Sequence, residues 1–166
     1  MAKTTSFGYT DTADSGSSTR AFTRANLNWP VDFVATEKSD MKFQGANKTS
    51  PIDQLETVRV QASEIADVYK GTSIDPSAYA ASRKGLSVVC QINDVLRVTD
   101  SVDTAYQVDL PISAHMVIKV PQNSMITADN VMAVAGRCLA LLFDSNQVTS
   151  GRIANLLRGA MTPTGV

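Results

Sequence analysis

The segment at residues 131–143 constrains the fold most, because apolar residues cover almost the whole circumference of a helix there. One apolar stripe follows the spacing of a helix face and consists of Val131, Val134, Ala135, Cys138 and Leu142. A second apolar group occupies the remaining circumference and consists of Met132, Ala133, Leu139, Leu141 and Phe143. Arg137 is the only charged residue of the segment. Such a helix cannot lie on the surface of a monomer with one face in water, so we expect it to be covered on more than one side.

The ends of this helix and a second helix also have sequence signals. Thr127 is predicted to be the N-cap, and Asp129 places a negative charge in the first turn, where the helix dipole favours it. A shorter helix is predicted at residues 150–158, where apolar residues recur at helical spacing and Gly159 follows as the residue after the C-cap.

Three segments before the helices alternate between polar and apolar residues, which is the pattern of a half-buried strand. The first lies at residues 57–63, and the second begins at Leu86 and is expected to run on to Val98. The third follows Pro111 and ends at Pro121, which has no N–H for a ladder. Strands followed by two helices predict an α+β domain with an antiparallel meander sheet that has one apolar and one polar face.

Residues 1–51 are polar and weakly patterned, and short strands are predicted there at residues 4–9, 20–26 and 31–36. The length of 166 residues favours a single domain. We expect N-terminal strands and loops at 1–51, a sheet core at 52–121 and two helices at 127–159.

Charge and composition exclude several classes of protein. Fifteen Lys and Arg against sixteen Asp and Glu give a net charge of −1, which argues against a polybasic arm but allows a locally basic face. No apolar run reaches the roughly 18 residues of a membrane span, and the N-terminus lacks the apolar stretch of a signal peptide. We therefore expect no membrane partner.

Two cysteines and one histidine give no sign of a metal, cofactor or catalytic site. Cys90 and Cys138 are far apart and have no CxxC spacing, so both are expected to be free thiols in a reducing cytoplasm. Cys90 lies on the apolar strand face and Cys138 on the helical stripe, so both are also expected to be buried. His115 has no nucleophile or orienting carboxylate in a recognisable motif, so the chain is not expected to be an enzyme.

The order and spacing of these segments resemble the coat proteins of single-stranded RNA bacteriophages, the levivirus-like family. The resemblance rests on the strand at 87–92, the segments 108–114 and 116–121, the apolar helix, and the short helix at 153–158. It implies an N-terminal hairpin, a meander sheet and two C-terminal helices in an interlocked dimer. In such a dimer two sheets join edge to edge, and the helices of each subunit cross onto the sheet of its partner. The interface residues implied for this chain are Val131, Val134, Cys138, Leu141, Leu142, Ile153, Leu156 and Leu157.

The resemblance also implies a function. The chain would be a structural capsid protein that builds an icosahedral shell and binds genomic single-stranded RNA on the inner sheet face. It would also bind an operator hairpin and so repress translation of the replicase. Its partners would be further copies of itself, RNA and a phage maturation protein, in a virion assembled in the bacterial cytoplasm. The loop at residues 99–106 would shape the contacts at the symmetry axes of the shell.

The polar strand residues are the candidates for RNA contact, because hydroxyls and amides can bond to unpaired base edges while Arg and Lys hold phosphates. They are Thr57, Arg59, Gln61, Ser87, Gln91, Asn93, His115 and Lys119. Three alternatives stay open. The polar face could be an ordinary solvated surface, and the apolar helix could be the core of a monomer. The chain could also be a small oligomeric RNA-binding regulator that assembles no shell.

Overall fold

The computed structural model describes residues 7, 27–75, 77, 82–103, 105–142 and 151–159. The elements within these ranges are α1 (Trp29–Asp32), β1 (Phe33–Ser39), β2 (Lys42–Asn47), a 3-10 helix (Ile52–Gln54), β3 (Thr57–Ile65), β4 (Gly85–Thr99), β5 (Gln107–Pro121), α2 (Ala128–Ala140) and α3 (Gly151–Leu156). The strands predicted at residues 4–9 and 20–26 lie outside the described residues, apart from Phe7.

The five strands form one antiparallel sheet in the order β1-β2-β3-β4-β5, so each strand pairs with its neighbours in sequence. The predicted meander and the α+β class are therefore confirmed. The sheet and α1 lie in one compact unit, residues 27–123, while α2 and α3 belong to a second unit.

The three predicted strands are present, but they are longer than the alternation alone indicated. β4 and β5 have 15 residues each. The prediction that the last strand begins after Pro111 is wrong, because Pro111 lies within β5 and pairs with Val95. β5 is an edge strand among the described residues, so a residue without an N–H can sit there without breaking a bond to a second neighbour.

The predicted strand at residues 31–36 is only partly correct. Its first two residues belong to α1, where Pro30 occupies the first turn, and proline is well tolerated there because its missing N–H has no helical partner. The Trp29 ring lies 5.8 Å from the Phe33 ring and 5.0 Å from the Phe43 ring, centroid to centroid. Phe33 and Val58 are buried, so this end of the sheet carries part of the described core.

The predicted N-cap of the apolar helix is present. Thr127 Oγ1 accepts a hydrogen bond from Asn130 N at 3.3 Å, and Asn130 Oδ1 accepts one from Thr127 N at 3.0 Å. α2 begins at Ala128, directly after the predicted cap, and ends at Ala140, three residues before the end of the apolar segment at 131–143. The predicted second helix corresponds to α3, and Gly159 has a φ of 78°, as expected for the residue that follows a helix.

Large apolar side chains directly after the ends of α2 and α3 are exposed in the single chain. Leu141 is 62% exposed and Leu157 is 82% exposed, while Ala135 is the buried residue of α2. None of the described helices has the length and apolar character needed to cross a membrane.

The prediction of two buried thiols is wrong for the single chain, because Cys90 and Cys138 are both free and exposed. Cys90 does pair with Val60 of β3 and Met116 of β5, so it lies on the apolar face as expected. A position on an apolar face buries a side chain only where another element covers it, and sequence alternation carries no information about that cover.

Candidate RNA-binding face

Cross-strand pairing decides which side chains share a face, because residues directly opposite each other in an antiparallel sheet point the same way. Arg59 of β3 pairs with Gln91 of β4, and Gln91 pairs with His115 of β5. Neighbouring rows of the same face contain the pairs Thr57 with Asn93, Gln61 with Val89, and Ser87 with Lys119. The register thus brings all the predicted polar residues to one face of the sheet.

Hydrogen bonds between side chains hold part of this face in place. Asn93 Nδ2 donates to Thr57 Oγ1 at 3.1 Å, and Asn93 Oδ1 accepts a bond from Gln91 Nε2 at 3.2 Å. The Arg59 guanidinium donates to Gln61 Oε1, with Nε at 3.1 Å from that oxygen. Polar groups that are already oriented lose less conformational entropy when a ligand binds.

The polar face includes residues that sequence reasoning missed. Gln44 of β2 pairs with Arg59, and Lys42 of β2 pairs with Gln61. Ser113 of β5 pairs with Asn93. β2 was not predicted, because it has only six residues and Gly45 interrupts its alternation. The alternation of Lys42, Phe43 and Gln44 is the only local signal, and it is too short to indicate a strand.

The charge of this face is locally basic although the net charge of the chain is −1. Arg59 and Lys119 lie on it, and Lys119 and His115 are exposed. Lys42 also lies there, and its Nζ is 2.5 Å from Glu37 Oε2, so that lysine is partly neutralised. Cations among amides and hydroxyls are suited to a phosphate backbone with unpaired bases.

At the loop end of the same face, Arg97 binds two carboxylates. It pairs across the strands with Asp109, and its guanidinium contacts both Asp109 and Asp53 of the 3-10 helix. Hydrogen bonding from Arg97 lowers the pKa of Asp109 below its ordinary value, and the two carboxylates raise the pKa of Arg97. This arginine is therefore engaged in holding the hairpin rather than available to a phosphate.

The polar face shows no sign of a metal centre. Within the ranges that the structure describes, no three His, Cys, Asp or Glu side chains are grouped so that they could hold a metal ion. His115, the one histidine, lies opposite Gln91 in its row. The face offers hydrogen bonds and positive charge.

Two solved structures are similar to the chain over almost its whole length. The virus-like particle of bacteriophage AVE015 matches with a TM-score of 0.80 and 28% sequence identity, covering 98% of this chain and 100% of that chain. The virus-like particle of bacteriophage GQ-112 matches with a TM-score of 0.70 and 14% identity, covering 93% of this chain and 98% of that chain. No protein-family model matches the sequence, and comparison with curated proteins gives no match.

These matches define the class of the fold: it is that of a subunit of phage virus-like particles. The resemblance to coat proteins of levivirus-like bacteriophages, indicated by the order of strands and helices, is confirmed. At 14% identity the second match bears on the fold alone, whereas the first also shares more than a quarter of the residues.

Proposed function

We propose that the chain is a structural capsid protein of a single-stranded RNA bacteriophage, which dimerises, assembles an icosahedral shell and binds genomic RNA. The observation that carries this proposal is the TM-score of 0.80 to the AVE015 virus-like particle, with 98% and 100% of the two chains covered. The two chains are similar over a whole subunit rather than over one shared module, which favours the same role in assembly for both.

Exposed apolar side chains support dimerisation. Val134, Leu141, Leu142 and Leu157 of the helical segments are exposed in the single chain, although each would gain roughly 1.5–3 kcal/mol from full burial. Ile112, on the apolar face of β5, is 56% exposed. A second copy that lays its helices over this face would cover both surfaces together. The proposed helical contacts are Val131, Val134, Cys138, Leu141, Leu142, Ile153, Leu156 and Leu157.

The two edges of the sheet differ in a way that favours β5 as the contact. β1 has a register shift between Ala35 and Glu37 and carries charge at Glu37 and Lys38. Bulges and charged side chains are features that keep a sheet edge from pairing. β5 is about twice as long, and its residues 110–118 include no Asp, Glu, Lys or Arg. Edge-to-edge pairing through β5 would leave no long unpaired strand in the dimer.

The polar face supports RNA binding inside the shell. The predicted residues share one face, several are linked by hydrogen bonds, and the face is locally basic. Arg59 and Lys119 would hold phosphates, while Gln91 and Asn93 would contact unpaired bases. An operator hairpin bound there would repress translation. The maturation protein is the further partner expected in a virion that assembles in the bacterial cytoplasm.

The test is to purify the recombinant protein, image it by electron microscopy and extract its nucleic acid. Closed particles that contain host RNA are expected. The alternative, a small oligomeric RNA-binding regulator, predicts dimers that bind RNA but form no particles at any protein concentration. A monomer by light scattering that retains no RNA would contradict both functions.

A further inference from the structure

His115 lies on the polar face in β5, at the edge of the described sheet, and it is exposed. It pairs with Gln91, and β4 is the one described strand beside it. The positions that surround it on this face are all uncharged and are Val89, Gln91, Asn93, Ser113 and Val117. The helices that are proposed to cover the opposite, apolar face would leave His115 accessible to a ligand on the polar face.

The described carboxylates of the polar face are distant from His115 and are already bound to cations. Asp109 and Asp53 both contact Arg97, and Asp109 lies six residues along β5 from His115, which is about 20 Å in a strand. Glu37 contacts a lysine of β2 and lies in the same row as His115, but four strands away, which is about 19 Å. Charges separated by more than about 8–10 Å are largely screened at physiological salt. A positive charge on His115 would therefore have no carboxylate of this face to offset it.

The nearest charged residues on this face are cations. Arg59 lies in the same row, two strands from His115, at about 9–10 Å. Lys119 lies four residues along β5, at about 13–14 Å. Among the described residues neither cation forms an ion pair. A charge on His115 would thus join a group of cations, and a bound polyanion is the partner that would offset it.

We propose that binding of single-stranded RNA to the polar face is linked to protonation of His115, so that the protein holds RNA more tightly in mildly acidic solution. This inference rests on the proposed function and adds the regulation of its RNA-binding face by pH. An imidazole is the side chain that ordinarily changes charge between about pH 5 and pH 8. The charged ring donates from both nitrogens and can hold a phosphate, whereas the neutral ring has one donor and no charge.

Linkage gives the size of the effect. The proton and the RNA strengthen each other's binding by the same factor, because coupling between two ligands is reciprocal. Each chain that contacts RNA should take up at most one proton, so affinity should rise by up to about tenfold per chain for each unit by which the pH falls. One additional phosphate contact per chain should also steepen the dependence on salt by up to about one unit of slope in acid.

Filter binding of the unassembled protein at several pH values tests the link, with a uridine oligonucleotide as the probe. Uracil keeps the same protonation state throughout this range, so the RNA itself adds no pH dependence. The unmodified protein should bind more tightly as the pH falls. His115→Gln keeps a polar side chain that cannot gain a charge, so it should bind weakly at every pH. His115→Lys carries its charge throughout the range, so it should bind tightly at every pH.

Lys119→Ala is the matched control, because it removes a cation of the same face and strand while His115 stays in place. It should weaken binding at every pH, and the rise in affinity toward acid should remain. The control therefore separates the effect of the His115 proton from a general loss of positive charge.

The outcomes separate this inference from the proposed function. Equal RNA affinity of the unmodified protein across the range would overturn the link to His115 and leave the proposed function standing. A pH dependence that persists in His115→Gln would assign the proton to another group and would also overturn the link. Absence of RNA binding at every pH would overturn the RNA-binding part of the proposed function, and the link with it.

Nuclear magnetic resonance gives a second measurement on the unmodified protein. His115 is the one histidine of the sequence, so labelling histidine with nitrogen-15 gives ring signals from a single residue. At about pH 6.5, where a histidine in water is half charged, adding the oligonucleotide should move both ring-nitrogen signals toward the positions of the charged ring. Signals that stay in place or move toward the neutral ring would overturn the link even if the variants failed to fold.

Discussion

Arg97 Nε lies 2.7 Å from Asp109 Oδ1 and Arg97 Nη2 lies 2.9 Å from Asp109 Oδ2, so the two side chains form a bidentate ion pair. Nη2 also donates to Asp53 Oδ2 at 2.6 Å. The pairing of β3 with β4 ends at Thr57 and Asn93, so among the described residues no strand lies beside β4 in this part of the β4–β5 hairpin. Arg97 therefore ties the outer hairpin to the 3-10 helix, and its fixed fork geometry sets the direction of the hairpin end.

Removing the Asp109 carboxylate should make the hairpin end less stable and broaden the distribution of particle sizes. The pKa of Asp109 is held below the ordinary value of 3.8 by hydrogen bonding from Arg97. The ion pair therefore contributes fully to the free energy of unfolding above pH 3.8. This contribution is lost as the pH falls through the lower pKa that Asp109 has in the folded state. Thermal unfolding of Asp109→Asn and of the unmodified protein should differ at neutral pH and converge in acid. Asp40→Asn, in the turn between β1 and β2, is the control. A difference in thermal unfolding between Asp109→Asn and the unmodified protein that persists in strong acid would contradict the assignment of this stability to the ion pair.

Shortening the loop at residues 99–106 should leave dimers intact while changing particle size or yield. Val102 is 92% exposed, so the centre of the loop adds little to the core. Light scattering of dimers and electron microscopy of particles would measure the two effects separately. Loss of the folded dimer on shortening would show that the loop stabilises the fold rather than tuning the shell.

Arg59→Ala and Lys119→Ala should weaken the binding of all RNAs alike. Each should lower the slope of log affinity against log salt concentration by up to about one unit, as expected when one phosphate contact is lost. The control is Lys38→Ala, which removes the same charge from the opposite face, since Lys38 pairs with Phe43. Filter binding with dimers held from assembling would measure the slopes. Unchanged affinity and unchanged packaged RNA in both variants would mean that the polar face is only a solvated surface.

Gln91→Ala and Asn93→Ala should reduce selectivity for the cognate hairpin rather than general affinity. The loss should be about 1 kcal/mol where one neutral hydrogen bond disappears. Asn93→Ala should have the larger effect, because Asn93 also orients Thr57 and Gln91. Competition between the hairpin and a scrambled RNA would measure selectivity, with Ser63→Ala on the same face as the control. If both variants bind the hairpin and the scrambled RNA equally more weakly, these residues contact the RNA backbone instead of the bases.

Leu142→Asp should abolish dimers, because it places an unpaired charge in a contact that a second copy is proposed to bury. Light scattering would report the mass, and circular dichroism would report whether the chain is still folded. Val102→Asp introduces the same charge in an exposed loop and should leave the dimer unchanged. A well-folded monomer of the unmodified protein would contradict the interlocked dimer.

The sequence by itself determined the elements whose signals are local. Alternation predicted most of β3 and β4, because a strand with one buried face must repeat every two residues. The capping role of Thr127 and the start of a helix near it were also evident, since a cap depends on residues within one turn. The same alternation assigned the polar candidates of each strand to one face of that strand, because a strand's own period separates its two faces.

Only the tertiary structure decided how these elements meet. The bond between Arg97 and Asp53 joins residues 44 positions apart, and the row that brings Gln44 beside Arg59 depends on the pairing of β2 with β3. The exposure of Cys90 likewise depends on which element covers the apolar face, and not on the strand that carries it. The register of the strands and the elements that cover the apolar face are set by many pairings between distant segments, so no local pattern contains them.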